Sequence, residues 1–396
     1  EPGKRLRIGI LSPGLCTHPV GFMTAHAVSL LSKLPDIELY CYSFSAGLDL
    51  QDRYTQLFRS AAKKWVNTHD WPAERVYTKM LADKLDIAID MAGHLLADML
   101  AVFSQRVAPI QVKWVGGQFN TTGLRNMDYF LSDRFETPEG WDALYTEKLV
   151  RLPNGYSSYD LQDYGDTERL ADTPDHPIVF GCFNNHYKLN ATIVGVWAEI
   201  LHRVPNSILF IKAYKFDQPE ILEACRTLFL EQGIAPERLR FEGNSLHTEL
   251  MHKYREVDIA LDPWPYSGGL TTLEALWMGV PVVTTPGPSF AGRHSTTHLS
   301  ALGLESLIGE TFEDYIEIAV KLANDRKLLQ DLRILLPYSM TTSPMTDHAH
   351  MAADLHTAFR AMWSRYCEGL PPVAMRFDES SKLPKELEQV ALKEGA

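Results

Sequence analysis

Six stretches of this chain carry residues that could do chemistry, and each lies by an apolar run that reads as a strand or helix. The fullest is 262–287, DPWPYSGGLTTLEALWMGVPVVTTPG. Ser267, Gly268 and Gly269 favour a tight loop. Thr271 and Thr272 stand where a helix begins, Glu274 lies in its first turn, and Gly279 and Pro281 end it. Unpaired N–H groups and the positive end of the helix dipole make such a start a place for a diphosphate, although an ordinary strand–helix loop has the same pattern. The stretch 183–190, FNNHYKLN, brings Asn185, Tyr187 and Lys188 after another apolar run. A lysine there either opposes the charge of a diphosphate leaving group or is simply solvated.

Four further stretches carry polar groups. In CTHP (16–19), His18 either caps the helix that follows or reaches a sugar or phosphate. In DMAGH (90–94), Gly93 permits a turn and His94 follows it. GGQFNTTG (116–123) suits close backbone approach to a polar ligand, or is a flexible loop. His247 and His252 either meet a nucleobase or lie on the exposed face of a helix at 247–255. No Walker A, GxGxxG, HExxH or GxSxG pattern occurs, which removes the P-loop, common dinucleotide-binding, zincin and α/β-hydrolase classes.

These residues need a scaffold that gathers loops at strand ends. Residues 7–12, 37–44, 85–91, 109–115 and 129–131 read as buried strands, with helices at 20–34, 51–62, 73–84 and 95–107. Such alternation calls for a parallel sheet covered on both faces. A second run has strands at 178–183, 207–213, 238–242, 257–261 and 282–284. Its helices fall at 191–204, 220–232, 247–255, 312–324 and 327–336, and a long final helix at 347–366 closes the pattern. The expected division is a Rossmann-like domain at 1–155, a linker at 156–176 and a second Rossmann-like domain at 177–345. A helix at 346–372 then packs back, and a polar tail at 373–396 frays. Doubly wound sheets bind ligands at the carboxyl ends of their strands, so the expected site is a cleft between the two domains.

At 396 residues the chain is long enough for two cores. Its 45% hydrophobic and 22% charged residues fit a globular protein in water. A net charge of −12 argues against a nucleic-acid or acidic-membrane partner. No apolar run approaches the ~20 residues of a membrane helix. Five scattered cysteines show no metal spacing and suggest reduced thiols, so a cytoplasmic location and no metal are expected. The opening EPGKRLRIGI has neither a signal-peptide apolar segment nor an initiator Met, which leaves room for residues upstream.

Taken in order, RIGILSPG, HP, DMAGH, APIQVKWVG, MDYFLSD, YTEKLVRLP, FNNHYKLN, VPNSILFIK and VDIALDPWPYSGGLTTLEALWMGVPVVT form one ordered set, closed by the MWSRYCEG ending. Over about residues 5–370, this set resembles the catalytic region of the protein O-GlcNAc transferase family, in its bacterial and SPINDLY-like forms. The resemblance implies a GT-B fold, with an acceptor-side domain and a nucleotide-sugar domain. It implies inverting, metal-independent transfer of a sugar, GlcNAc from UDP-GlcNAc by default, to Ser or Thr of a protein. The nucleotide sugar is then a co-substrate and no cofactor is needed. By motif, His18 and Lys188 match the family's HP histidine and phosphate-contacting lysine, the two residues expected at the catalytic step. Thr271 and Thr272 match the threonine pair at the diphosphate, and Glu274 an acidic residue at the ribose. His94 fits the bacterial AGH pattern, and Asn185 stands where animal members have Gln. Tyr187, His247 and Gly269 complete the expected donor-binding set. Leu250 and Leu270 stand where the family would offer histidines, which loosens the inference to uracil. GDP-fucose or a CMP-linked acidic sugar, with flagellin or another protein as acceptor, stays open. So do a nucleotide-sugar 2-epimerase and a non-catalytic binding module. The family's tetratricopeptide repeats, upstream or in a partner, are the expected means of presenting acceptors.

Overall fold

The computed structural model describes residues 1–47, 49–117, 119–165 and 176–388. They fall into two compact units, Glu1–Asp160 with Pro344–Ala396, and Leu161–Ser343. Among the described residues, no helix is long and apolar enough to cross a membrane.

In the first unit the apolar runs become β1 (Leu6–Ser12), β2 (Ile37–Ser43), β3 (Lys64–Asn67), β4 (Ile87–Asp90), β5 (Ile110–Lys113), β6 (Tyr129–Asp133) and β7 (Lys148–Leu152). All pair in parallel, in the order β7-β6-β5-β4-β1-β2-β3. The winding reverses between β1 and β4, where Leu11 lies beside Asp90. The loops after those two strands therefore leave the sheet together. Strands β3 and β7 escaped the sequence reading because each is short and mixed with charges, so neither shows a clear apolar run. The helix expected at 95–107 is only Ala97–Phe103, because Gly93–Leu95 first forms a 3₁₀ turn.

The long helix His348–Cys367 buries Leu355, Phe359 and Met362 in this unit and packs on helix Pro19–Leu31. The frayed tail is a correction. Met375–Arg376 pairs in parallel beside β7, whose open edge offers free backbone groups. The Ser381 N–H then donates to Asp354, and Leu387 is fully buried. Residues 389–396 lie outside the described residues.

The second unit has β8 (Val179–Cys182), β9 (Ile208–Lys212), β10 (Leu239–Glu242), β11 (Ile259–Leu261) and β12 (Val282–Val283). Their order is β10-β9-β8-β11-β12, again all parallel, with the reversal between β8 and β11. Helix Arg326–Thr341 continues past Pro337, beyond the expected end at 336. Helix His294–Ala301 was not expected: His294 to His298 are all polar and all buried, so no apolar stripe marks it. Of the stretch 156–176, Tyr156 and Ser157 to Asp160 are buried in the first unit. Leu161 onward belongs to the second, and residues 166–175 lie outside the described residues.

Candidate active site

Strands β8 and β11 are neighbours, so the loops after them emerge side by side. After β8, the Asn185 side chain accepts from the Tyr187 N–H and caps the 3₁₀ turn His186–Lys188. That turn directs the Lys188 ammonium to Asn184 Oδ1 (2.8 Å) and to the Ser267 carbonyl (2.6 Å), 4.0 Å from the centre of the Tyr266 ring. Asn184 Oδ1 also accepts from the Thr271 hydroxyl at 2.9 Å. One buried amide thus fastens the lysine of one loop to the helix start of the next. Loss of water around the ammonium pushes the Lys188 pKa down to about 8, against the upward pull of Asp262. At neutral pH the group is still charged. Two of its three donors are used within the protein, which leaves one for a ligand oxygen.

Asp262 follows β11 and shapes the glycine loop. Its Oδ1 accepts from the Gly268 N–H (2.6 Å) and its Oδ2 from the Thr284 hydroxyl (2.6 Å). Burial pushes its pKa up to about 6. A Cβ at Gly268 would lie 2.5 Å from the Thr272 hydroxyl and 2.7 Å from that of Thr271, so only glycine lets the loop close on the threonine pair. Helix Leu270–Trp277 then starts at Gly269 with no side-chain cap on its first N–H groups. Thr272 is held from behind: its hydroxyl is 2.8 Å from that of Ser295, which donates to the Gly268 carbonyl.

The remaining residues of this unit divide. His247 Nε2 lies 2.6 Å from Glu274 Oε1, and the His247 ring meets Tyr164 edge-on. Glu274 is buried, so its carboxylate is already paired with an imidazole. His252 Nε2 bonds the Tyr164 carbonyl at 2.8 Å. Asn185 and Tyr187 are not drawn into the Lys188–Thr271 cluster. Asn185 is exposed, and Tyr187 is 70% exposed with its hydroxyl accepting from Lys215.

In the first unit His18 and His94 follow the paired strands β1 and β4. His18 is the N-cap of helix Pro19–Leu31, and its Nδ1 accepts from the Val20 N–H at 3.2 Å. Burial pushes its pKa below the ordinary value, so it is neutral near pH 7 with its proton on Nε2. His94 Nε2 bonds the Thr121 carbonyl at 3.0 Å, which puts its proton on Nε2 and leaves Nδ1 as an acceptor. Thr121 is in turn held by Glu147. Gln118 of that loop lies outside the described residues.

Beneath these loops lies Lys113, fully buried at the end of β5. Its ammonium donates to the carbonyls of Val115 (2.6 Å), Gly116 (2.5 Å) and Asp90 (3.3 Å) and sits 3.7 Å from the Asp90 carboxylate. The Asp90 carboxylate accepts from the Ala92 and Gly93 N–H groups. Val115, Gly116 and Gly117 all have positive φ, and a Cβ at Gly117 would meet the Ala92 carbonyl at 2.1 Å. The pair Lys113–Asp90 therefore holds two loop backbones in contact. Burial pushes the Lys113 pKa down to about 8.

Lys113, Asn184, Ser267 and Ser295 are not among the site residues expected from the sequence. Lys113 had a signal, a charge inside the apolar strand PIQVKWV. Ser295 had none, because it reaches Thr272 from a different helix.

The glycosyl transferase family 41 model matches residues 1–164 and 166–355. A Petunia hybrida relative named "Probable UDP-N-acetylglucosamine–peptide N-acetylglucosaminyltransferase SPINDLY" is 32% identical over 96% of this chain and 41% of its own length. An Arabidopsis thaliana relative of the same activity name, SEC, is 30% identical over 93% of this chain and 38% of its own. The chain thus spans about two fifths of the length of these curated relatives. Among solved structures, a mutant of Thermobaculum terrenum O-GlcNAc transferase superposes with a TM-score of 0.86 at 36% identity, over 93% of this chain and 69% of that one.

Proposed function

The chain belongs to glycosyl transferase family 41, and on that premise we propose that it is the catalytic region of an inverting protein O-glycosyltransferase that moves GlcNAc from UDP-GlcNAc to Ser or Thr of a protein. The observation that carries the reading is the Lys188–Asn184–Thr271 cluster beside an uncapped helix start. In the reaction an acceptor hydroxyl oxygen attacks the anomeric carbon, the bond to the β-phosphate oxygen breaks, and the hydroxyl proton is released. Negative charge grows on the departing nucleoside diphosphate. The spare Lys188 donor and the first N–H groups of helix Leu270–Trp277, those of Thr271 and Thr272 among them, would stabilise it. A lysine and a helix N-terminus supply the opposing positive charge without a metal ion, which supports a metal-independent reaction.

His18 enters as a hydrogen-bond donor. With Nδ1 occupied by the Val20 N–H, its Nε2–H can orient a sugar or acceptor oxygen, but that nitrogen has no lone pair with which to take a proton. Glu274, aligned by His247, is the carboxylate offered to a ribose hydroxyl. The names of the relatives support uracil as the base, although Leu250 and Leu270 give it no histidine.

The test is intact-mass analysis of candidate acceptor proteins incubated with UDP-GlcNAc, GDP-fucose or a CMP-linked acidic sugar. A GlcNAc mass increment with UDP-GlcNAc, lost in Lys188→Ala, is expected. An increment with another donor alone would replace the sugar assignment, and conversion of free donor to an epimer without any acceptor would overturn transfer.

A further inference from the structure

In the first unit, the last residues before the chain leaves for the second unit and the first after it returns are fastened to one helix. The Ser158 and Asp160 N–H groups donate to the Met23 and Phe22 carbonyls of helix Pro19–Leu31, and the Tyr159 N–H to the Met345 carbonyl. At the centre of this junction stand His26 from that helix, Asp160, and His348 at the start of helix His348–Cys367. One ligand atom from each lies within 4.8 Å of the others.

We infer that His26, Asp160 and His348 form a structural binding site for a divalent transition-metal ion of the zinc class. Two imidazoles and one carboxylate are a donor set that zinc accepts, with water completing a four-coordinate site. Ligand atoms around a tetrahedral zinc lie about 3.3–3.5 Å apart, so binding would draw the set together and turn the nearly parallel imidazoles toward the ion. His348 and Asp160 already have the outer partner that orients metal ligands. The Ser158 hydroxyl is 2.9 Å from His348 Nδ1, which leaves Nε2 of that ring for the ion. The Tyr54 hydroxyl donates to Asp160 Oδ2 at 2.6 Å. The two imidazoles stack 4.9 Å apart, with His26 Nε2 3.4 Å from Asp160 Oδ1.

A cation stands at this position already. The Arg53 guanidinium is 3.3 Å from Asp160 Oδ2 and 3.4 Å from His26 Nε2, and its side chain is 57% exposed. A metal ion would take over its role by displacing it toward solvent. The bound ion would pin both crossing segments to the helix that His18 caps, and it would act on stability rather than on sugar transfer.

The experiment is equilibrium dialysis of the chelator-treated chain against zinc chloride, repeated with cobalt(II) for its visible absorption. The expected result is one zinc per chain, cobalt bands of a four-coordinate nitrogen–oxygen site, and a melting temperature raised by zinc. In the double variant His26→Gln, His348→Gln, affinity falls at least tenfold and the melting shift disappears. Arg53→Gln, which keeps all three ligands and removes the competing cation, should bind zinc at least threefold more tightly. Equal zinc uptake by the parent and the double variant would overturn the site. So would an unchanged affinity in Arg53→Gln, which decides the matter even if the double variant does not fold. Neither readout uses a sugar donor, so failure here is separate from failure of the proposed transferase activity.

Discussion

His18 and His94, at the carboxyl ends of the neighbouring strands β1 and β4, present opposite chemistry from the same tautomer. Both carry the proton on Nε2. In His18 that N–H has no partner among the described residues, while Nδ1 accepts from the Val20 backbone; in His94 it is consumed by the Thr121 carbonyl, and Nδ1 is left as the acceptor. His18 thus keeps a donor to spare and His94 a lone pair.

This predicts a separation of stability from turnover at position 18. Asn is a good N-cap, so His18→Asn should stay within about 0.5 kcal/mol of the parent, whereas His18→Ala should lose about 0.5–2 kcal/mol. Both should lose turnover, because neither supplies the Nε2–H. Urea unfolding alongside initial-rate assays checks it; full activity in His18→Asn would reduce His18 to a helix cap.

Lys188 should give donor binding an alkaline limit. Its pKa of about 8 means that the ammonium is present below that pH and lost above it. Affinity for UDP, measured by calorimetry, should hold between pH 6 and about 7.5 and fall as pH rises through about 8. Binding of the nucleotide raises this pKa, so the limit moves upward when saturating donor is present. Lys188→Met should bind weakly at every pH and show no such step.

Gly268→Ala should damage binding while leaving the fold intact. Its Cβ would strike both threonine hydroxyls, at 2.5 and 2.7 Å, and must push them from the site. A loss of at least tenfold in UDP affinity, about 1.4 kcal/mol, is expected with an unchanged circular-dichroism spectrum. Parental affinity would mean that the threonine pair does not contact the diphosphate.

Lys113→Met should be costly despite the apolar surroundings. It leaves three loop carbonyls and the Asp90 carboxylate without their cation, a loss of about 2–4 kcal/mol. The pH signature has a definite sign. The folded pKa is about 8 against an ordinary 10.5, so the unfolded chain holds the extra proton between those values. Stability from this group therefore rises with pH across that window. The slope of unfolding free energy against pH between 8 and 10.5 should be smaller in Lys113→Met than in the parent.

Local pattern along the chain was enough to reveal the two alternating halves, the strand that precedes each polar loop, and the functional interest of His18, Lys188 and Thr271–Thr272. These signals depend on residues a few positions apart, where the strand period and the glycine turn are written directly. Tertiary structure decided the rest. It put Asn184 between Lys188 and Thr271, Ser295 behind Thr272, His247 on Glu274, and Lys113 under the loops after β4 and β5. It also paired the supposed tail with β7 and buried a helix whose first five residues are all histidine, serine or threonine. Each of those contacts joins loops or helices whose meeting depends on strand order across a sheet. Hydrophobic period reports which face of an element is buried, but carries no record of which element lies next to it.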